Sequence, residues 1–368
     1  MSAMAPFSEP SALTPGSVAE VVDLVARMPM VLAVGAGTKP VPSSCPEGCT
    51  PVAMRCLSGI VEYDPGELTF TALAGTPLGE IEAALARHGQ YLPFDPPFAR
   101  AGATLGGTIA AGLSGAGRQR FGGVRDFILG IRFVTGLGEQ VRGGGKVVKN
   151  AAGFDLPKLF AGSLGRLGIL VEATFKVFPR PKAFATLLFA CGTVSEALQL
   201  LETLRPASFD FEAVEILPDE SAIAIRLGGA PESFAGRLAA AERAAGRSAS
   251  RLLEDADDAF WRNLEPARPA GADEILAKVP LTAAELPAFD AALAAAGARR
   301  RYSSGGNVAW IEWSLGFEAL EAALRVQGLS GLALAGPAPR PLIGAIRGKA
   351  FRSRVKAALD PHNRFPDF

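Results

Sequence analysis

The stretch Ala101-Gly-Ala-Thr-Leu-Gly-Gly-Thr-Ile-Ala-Ala-Gly-Leu-Ser-Gly-Ala-Gly117 carries glycine at 102, 106, 107, 112, 115 and 117, small or hydroxylated side chains almost everywhere else, and no charge before Arg118. A backbone this bare can bring its N–H groups directly against a bulky anionic group, because few side chains stand in the way. The competing reading is a glycine-rich surface loop, and glycine alone does not separate the two. The surrounding chain does.

Upstream, Ser17 and Glu20 form a capping box, and Val18, Val21, Val22 and Val25 recur at helical spacing, which predicts a helix from Ser17. A buried strand at 30–34 then runs into Gly35-Ala-Gly-Thr-Lys39. This resembles the start of a dinucleotide fingerprint, but the third glycine is missing and Pro40 and Pro42 follow where a helix would open. A phosphate loop without its helix is the expectation. Strands follow at 59–63 and 68–74, and Thr76-Pro77 starts a second helix that buries Leu78, Ile81 and Leu85 and stops at Gly89. His88 falls in its last turn, where histidine serves the carbonyl ends more naturally than catalysis. Tyr91-Leu-Pro-Phe-Asp-Pro-Pro97 is a proline-stiffened approach to the opening stretch.

Downstream, 126–135 and 140–142 predict strands joined by a turn at Leu137-Gly138. Gly143-Gly-Gly-Lys146 looks like a phosphate loop, yet Gln140 and Val147 stand where a Walker motif requires glycine and a hydroxyl, so ATP is not supported. Leu159-Phe-Ala-Gly-Ser-Leu-Gly-Arg-Leu-Gly168 is a further small-residue loop ahead of a strand at 169–178, and Pro179-Arg-Pro181 is the expected domain boundary. From 183 to about 341 strands at 184–190, 212–217, 222–227, 274–279 and 308–313 alternate with helices at 195–204, 233–245, 255–264, 283–296 and 317–327, an open α+β layer. A last helix spans 349–359.

With 368 residues, 49% of them hydrophobic, the chain supplies core for two domains. Lysine plus arginine and aspartate plus glutamate each number 37, so no net field favours nucleic acid, and any anion must be met locally. No apolar run is long enough to span a bilayer, and 1–17 lacks the pattern of a secretory signal, which predicts a cytoplasmic protein. The four cysteines are too few for a disulfide framework. Cys45, Cys49 and Cys56 cluster, but C-x3-C-x6-C matches no common metal or iron–sulfur pattern and Cys191 is far away, so they read as structural or incidental thiols.

Taken together, Val34-Gly-Ala-Gly-Thr38, Ala103-Thr-Leu-Gly-Gly107 with Ser114-Gly115, Lys149-Asn-Ala-Ala-Gly-Phe-Asp-Leu156 and Gly162-Ser-Leu-Gly-Arg-Leu-Gly-Ile169 resemble the FAD-binding domain of the vanillyl-alcohol oxidase and p-cresol methylhydroxylase (PCMH) superfamily. Within it the likeness is strongest to the E subunits of bacterial glycolate oxidases. It extends to Leu92-Pro-Phe-Asp-Pro-Pro97, Arg118-Gln-Arg-Phe-Gly-Gly-Val-Arg-Asp126, Phe260-Trp-Arg-Asn-Leu264 and Lys356-Ala-Ala-Leu-Asp-Pro361. The resemblance implies an α+β fold: a PCMH-type FAD-binding domain of two α+β subdomains over 1–181, a smaller α+β cap over 182–340, and a C-terminal segment 341–368 returning to the FAD domain. It implies noncovalent FAD, because Thr38 and Lys39 stand where some relatives carry a flavin-linked histidine. The cofactor-binding residues it points to are Gly35, Ala36, Gly37, Thr38, Lys39, Pro97, Ala103, Thr104, Gly106, Gly107, Ser114, Gly115, Gly168 and Ile169. These loops offer almost no cationic side chain. Backbone N–H groups around 35–38 and 104–107 are therefore expected to hold the pyrophosphate, helped by the hydroxyls of Thr38, Thr104 and Ser114. Gly168 and Ile169 would meet the adenine end or ribityl chain through backbone atoms.

Oxidising a 2-hydroxy acid at a flavin needs a base for the hydroxyl proton and cations for the carboxylate. Related dehydrogenases often carry a His-x-His metal site in the cap; this chain has no such pair, so no metal is expected. Arg118, Arg120 and His362 are the remaining catalytic candidates, with Arg125 beside them. Each has a plainer reading, a chain-end contact for His362 and salt bridges for the arginines. Phe154 replaces the family's usual tyrosine, and Phe365-Pro-Asp367 stands where relatives run Asn-Pro-Gly-Arg; neither touches the FAD loops, but both weaken turnover by this chain alone. The expected function is that of an FAD-binding subunit of a glycolate oxidase complex. It would oxidise a small 2-hydroxy acid with a larger FAD-containing subunit and an iron–sulfur subunit, and reach the inner membrane only through them. A self-sufficient FAD oxidoreductase and a non-catalytic assembly subunit are the alternatives, and no nucleic-acid partner is expected.

Overall fold

The capping box at the start of the chain forms as its spacing predicts. Ser17 Oγ accepts from the Glu20 N–H at 3.2 Å and donates to the Glu20 carboxylate at 3.1 Å, opening α1 (Val18–Arg27). The computed structural model describes residues 12–145, 154–207, 209–266, 271 and 273–368. By its contacts the chain divides into two units, each described by itself. One contains the chain up to Ser114, Gly122–Pro179 and Gly348–Phe368; the other contains Gly115–Phe121 and Arg180–Arg347.

In the first unit β1 (Val31–Val34) pairs in parallel with β2 (Thr50–Ala53), with the four-residue α2 (Pro40–Ser43) between them. There follow β3 (Ile60–Asp64), β4 (Thr69–Leu73), α3 (Leu78–Ala86), β5 (Gln90–Tyr91), α4 (Leu105–Ala111), α5 (Arg118–Phe121, assigned to the second unit), β6 (Ile128–Val134), β7 (Gln140–Gly144), α6 (Leu156–Phe160), β8 (Ile169–Lys176) and β9 (Phe178–Pro179). Five strands form an antiparallel sheet in the order β3-β4-β8-β6-β7, and β5 pairs with β9. The core between α1 and the sheets gathers Val21, Val25, Val31, Val52, Val134, Ile169, Val171 and Phe365. Phe365 arrives with the C-terminal segment, whose Arg364 carbonyl accepts from Val31 N–H at 2.7 Å. A buried Lys356–Asp360 ion pair holds that segment's turn: Asp360 accepts from the N–H groups of Arg364 and Phe365, and Lys356 donates to the Phe365 carbonyl at 2.7 Å.

The second unit is one nine-stranded antiparallel sheet with helices. Its elements are β10 (Ala183–Ala190), α7 (Val194–Leu204), β11 (Phe211–Leu217), β12 (Ala222–Gly229), α8 (Phe234–Ala245), β13 (Ser250–Leu253), α9 (Glu254–Asn263), β14 (Ile275–Pro280), α10 (Leu286–Ala295), β15 (Arg299–Ser303), β16 (Val308–Trp313), α11 (Phe317–Val326), β17 (Ser330–Ala335) and β18 (Leu342–Gly344). The order is β13-β10-β12-β11-β15-β16-β14-β17-β18. α9 is fastened to the sheet by a buried polar knot: Asp257 accepts from Thr186 Oγ1 at 2.5 Å and Arg226 Nη2 at 2.6 Å, and Trp261 Nε1 donates to Thr186 Oγ1 at 2.8 Å. α12 (Lys349–Leu359) returns the chain to the first unit.

Two differences from the sequence reading matter. The glycine-rich stretch contains a helix, α4, capped by Thr104 and stopped by Gly112 in the left-handed conformation at φ 62°. At Gly106 crowding requires glycine: a Cβ there would lie 2.8 Å from the Ala74 Cβ and 2.9 Å from the Ala74 carbonyl oxygen. The second sheet also has four strands that periodicity did not show, β13, β15, β17 and β18. The arginines of β15 disguise it, and each is neutralised from a distance: Arg299 by Glu312, Arg300 by Asp219 and Asp290, and Arg301 by Glu215.

Candidate FAD site

Gly35–Lys39 leaves β1 as a tight loop, with Gly37 at φ 66°, and meets the Thr104 end of α4 at van der Waals contact; a Cβ on Gly35 would overlap Thr104 Oγ1. Two adjoining clefts flank this contact. One, open to solvent, is lined by Gly35, Ala36, Gly37, Thr38, Lys39, Pro42, Ser43, Thr104, Gly107 and Leu164 among others. The other shares Ala33, Gly35, Thr104, Gly107 and Ala110 and adds Met54, Ala74, Gly106, Ser163, Gly165, Gly168 and Leu170. Three glycine-bearing segments far apart in sequence thus converge around one groove.

The two loops expected to cradle the pyrophosphate differ in what they have left to give. At the head of α4 the donors are occupied: Leu105 N–H reaches the Thr76 carbonyl at 2.9 Å, Gly106 N–H the Ala74 carbonyl at 2.8 Å, and Gly107 N–H Thr104 Oγ1 at 3.3 Å. By contrast, no hydrogen bond to another described residue engages the N–H groups of Ala36, Thr38 or Lys39. Among the described residues, the first loop thus keeps backbone donors open, while the head of α4 has committed its own.

Lys39 changes the electrostatics expected of these loops. It is 6% exposed, donates to Thr38 Oγ1 at 2.8 Å and lies 5.5 Å from the centroid of the Phe98 ring. Burial pushes its pKa down to about 8, with no charged neighbour contributing. A cation held so deep in a cleft wall is offset by an anion beside it. Ser163 provides a second sign of a missing polar partner: it is buried, lines the second cleft, and its Oγ has no hydrogen-bond partner. Bare glycine walls, free N–H groups, a buried ammonium and an orphaned hydroxyl fit a phosphate-bearing dinucleotide.

The other residues named from sequence are placed as follows. Pro97 and Ala103 are buried; Ala103 N–H donates to the Phe98 carbonyl, and the Ala103 carbonyl accepts from Leu78 N–H. Ser114 Oγ accepts from Val124 N–H at 2.8 Å, so it braces the chain. Gly115 falls in the second unit. Ile169 points its side chain into the hydrophobic core. His362 is exposed in the turn after α12 and lines neither cleft, while His88 packs edge-on against Tyr63 at 5.3 Å. In the second unit Arg118 is exposed, and Arg120 is paired with Glu212 at 2.5 Å and Asp210 at 3.5 Å. Lys149–Gly153, part of the motif continuing to Leu156, lie outside the described residues. Sequence reasoning passed over Ser163, although it stands in the small-residue loop already noted; only its lack of a partner in three dimensions marks it. Among the described residues no group of three or more histidine, cysteine, aspartate or glutamate side chains is placed to hold a metal ion, and no helix is long and apolar enough to cross a membrane.

Residues 11–144 match the family model of the FAD binding domain. In fold and site, residues 11–144 of this chain are thus similar to FAD binding domains. Among individual proteins, it is 54% identical over 134 residues to glycolate oxidase subunit GlcE of Escherichia coli, covering 36% of this chain and 38% of that one. It is 32% identical over 200 residues to glycolate oxidase subunit GlcD of Bacillus subtilis, covering 54% and 42%. The matched parts thus span about two fifths of the length of these curated relatives. A solved structure of alkyldihydroxyacetonephosphate synthase shares the fold at a TM-score of 0.68 and 18% identity, over 96% of this chain and 75% of that one.

Proposed function

We propose that this chain is the FAD-binding subunit of a glycolate, or 2-hydroxy-acid, oxidase complex. The observation that carries the reading is the 54% identity to a glycolate oxidase subunit, joined to a groove whose free donors and buried cation suit FAD. The N–H groups of Ala36, Thr38 and Lys39 would hold the pyrophosphate, with the Lys39 ammonium as counter-charge. Gly35 and Gly107 keep the groove wall bare, and Ser163 Oγ would take its hydrogen bond from the ligand. FAD is held noncovalently, since no histidine stands in the loop. Bound FAD supplies the two-electron acceptor for converting the CH–OH of glycolate to the C=O of glyoxylate. Partners are a larger FAD-containing subunit and an iron–sulfur subunit, which pass the electrons on.

The test is co-purification from the native host, with mass spectrometry of the associated chains and a visible spectrum. Flavin bands together with both partner subunits support the reading; a colourless, solitary chain overturns it. One observation favours a second reading, a self-sufficient oxidoreductase. In the second unit the pKa of Lys278 is pushed down to about 8, by burial first and by Arg118 second, and two neighbouring cations suit a substrate carboxylate. Anaerobic bleaching of the isolated flavoprotein by glycolate would establish that reading.

A further inference from the structure

Among the described residues, Lys39 is the only cation lining either of the two clefts. An ammonium carries three N–H donors, and here one acceptor answers them, Thr38 Oγ1 at 2.8 Å. No carboxylate among the described residues pairs with it, and the Phe98 ring centroid lies 5.5 Å from the nitrogen. Buried among so few partners, the side chain is better off neutral, and its pKa is held at about 8. At about pH 7.5 roughly a quarter of such an amine is unprotonated, against about one part in a thousand for an ordinary lysine. An amine with its lone pair available, set in a cleft wall, is a nucleophile toward a carbonyl carbon.

The loop that carries Lys39 also selects the carbonyl compound. The N–H groups of Ala36 and Thr38 engage no other described residue, and both residues line the same solvent-open cleft as Lys39. Adjacent open N–H groups suit an anionic oxygen, and Gly35 and Gly37 bring no side chain to block it. One loop therefore presents a nucleophile and an anion cradle together.

We infer that the Lys39 amine captures small aldehydes bearing a carboxylate or phosphate, as a reversible imine. The nitrogen lone pair attacks the carbonyl carbon, a C–N bond forms, and the carbonyl π electrons pass to oxygen, which takes a proton released by nitrogen. The nitrogen lone pair then closes the C=N bond, the C–O bond breaks, and oxygen leaves as water with the second amine proton. Thr38 Oγ1, already accepting from this amine, is placed to relay those protons. Nothing is oxidised or reduced. The imine rests on the loop alone. One consequence rests on the flavin reading: glyoxylate is an aldehyde of this class, so the product of the oxidation would hold the groove against FAD.

The test is reductive trapping on the full purified chain, with its flavin removed and again with FAD restored to saturation. Glyoxylate and cyanoborohydride are added at about pH 7.5, and peptide mass spectrometry reads carboxymethylation, with the exposed Lys182 and Lys349 as references. Without FAD, Lys39 is expected to label about ten-fold faster than either reference despite its burial. A rate at or below theirs overturns the inference, and this comparison needs only the wild type. Lys39→Arg keeps the charge and should leave that peptide unlabelled. With acetaldehyde, which has no anionic group, the ratio of Lys39 to reference labelling should fall about five-fold; an unchanged ratio overturns the selection for anions. If the chain binds FAD but Lys39 is not trapped in its absence, the imine is wrong and the flavin reading survives. Trapping that saturating FAD leaves unchanged upholds the imine and removes the flavin phosphates from Lys39.

Discussion

Gly35–Lys39 and the head of α4 are both glycine-rich, touch one another, and in sequence promise the same thing, yet they do different work. At 105–107 the backbone donors are committed to the Thr76 and Ala74 carbonyls and Thr104 Oγ1, and glycine is needed because Ala74 leaves no room for a Cβ on Gly106. At 35–39 the N–H groups of Ala36, Thr38 and Lys39 remain open and a buried cation stands with them. Glycine in the first case is a packing device, and in the second it leaves neighbouring backbone donors uncommitted. Mutations that separate retention of FAD from stability of the fold test this division.

The largest effect is expected from Gly107→Asp. Gly107 lines both clefts, and the nearest atom to an added Cβ is Thr104 Oγ1 at 3.0 Å, so the side chain brings a carboxylate to the groove with modest crowding. FAD retention should be lost, a drop in affinity of about 100-fold or more from charge repulsion and occlusion. Circular dichroism should show the fold intact. Retained flavin after gel filtration would remove Gly107 from the groove wall.

Lys39→Met comes next and should weaken FAD binding about 10- to 100-fold, the span of a charge-assisted contact. Its pH dependence carries the sharper information. Without ligand the Lys39 pKa lies near 8, below the ordinary 10.5, so between these values the unfolded chain binds more protons. Its contribution to the stability of the ligand-free protein therefore rises with pH across that window, as the cost of a buried charge is removed. A bound pyrophosphate favours the charged form and raises the pKa again. Lys39 then holds FAD affinity steady below about pH 8 and lets it fall above. Titration of FAD by fluorescence from pH 7 to 10 should show this fall in the wild type and a flatter profile in Lys39→Met; parallel profiles would place Lys39 away from the pyrophosphate.

Gly106→Ala should do the reverse of Gly107→Asp. The added methyl meets a backbone carbonyl and a Cβ, and overpacking of this kind costs about 1–3 kcal/mol of stability, to be read by denaturant unfolding. Because Gly106 N–H already serves Ala74, FAD affinity of the folded fraction should change little.

How much of this was legible in sequence depended on the range of the forces involved. α1, β16 and α12 could be read because capping and periodicity are local, and Gly35–Lys39 stood out because a strand running into Gly-x-Gly is a local pattern. α4 was hidden in part by Gly106, whose justification is contact with Ala74, 32 positions earlier in the chain. β15 was hidden by arginines neutralised from Asp219, Glu215, Asp290 and Glu312. The occupied donors of α4 were hidden for the same reason, since Thr76 and Ala74 supply the carbonyls.

Ser163→Ala should give the smallest effect and the most discriminating one, because its two consequences run in opposite directions. In the ligand-free chain the Ser163 hydroxyl is buried without a partner, so replacing it by a methyl removes an unsatisfied polar group from the interior. Stability should hold or increase by up to about 1 kcal/mol. With FAD bound, the same substitution deletes a hydrogen bond, and affinity should fall about 3- to 10-fold. A variant that is at once more stable when empty and weaker for FAD identifies a hydroxyl kept for the ligand. If instead it loses stability and binds FAD as well as the wild type, Ser163 belongs to the packing of its loop, and the groove rests on Gly35–Lys39 alone.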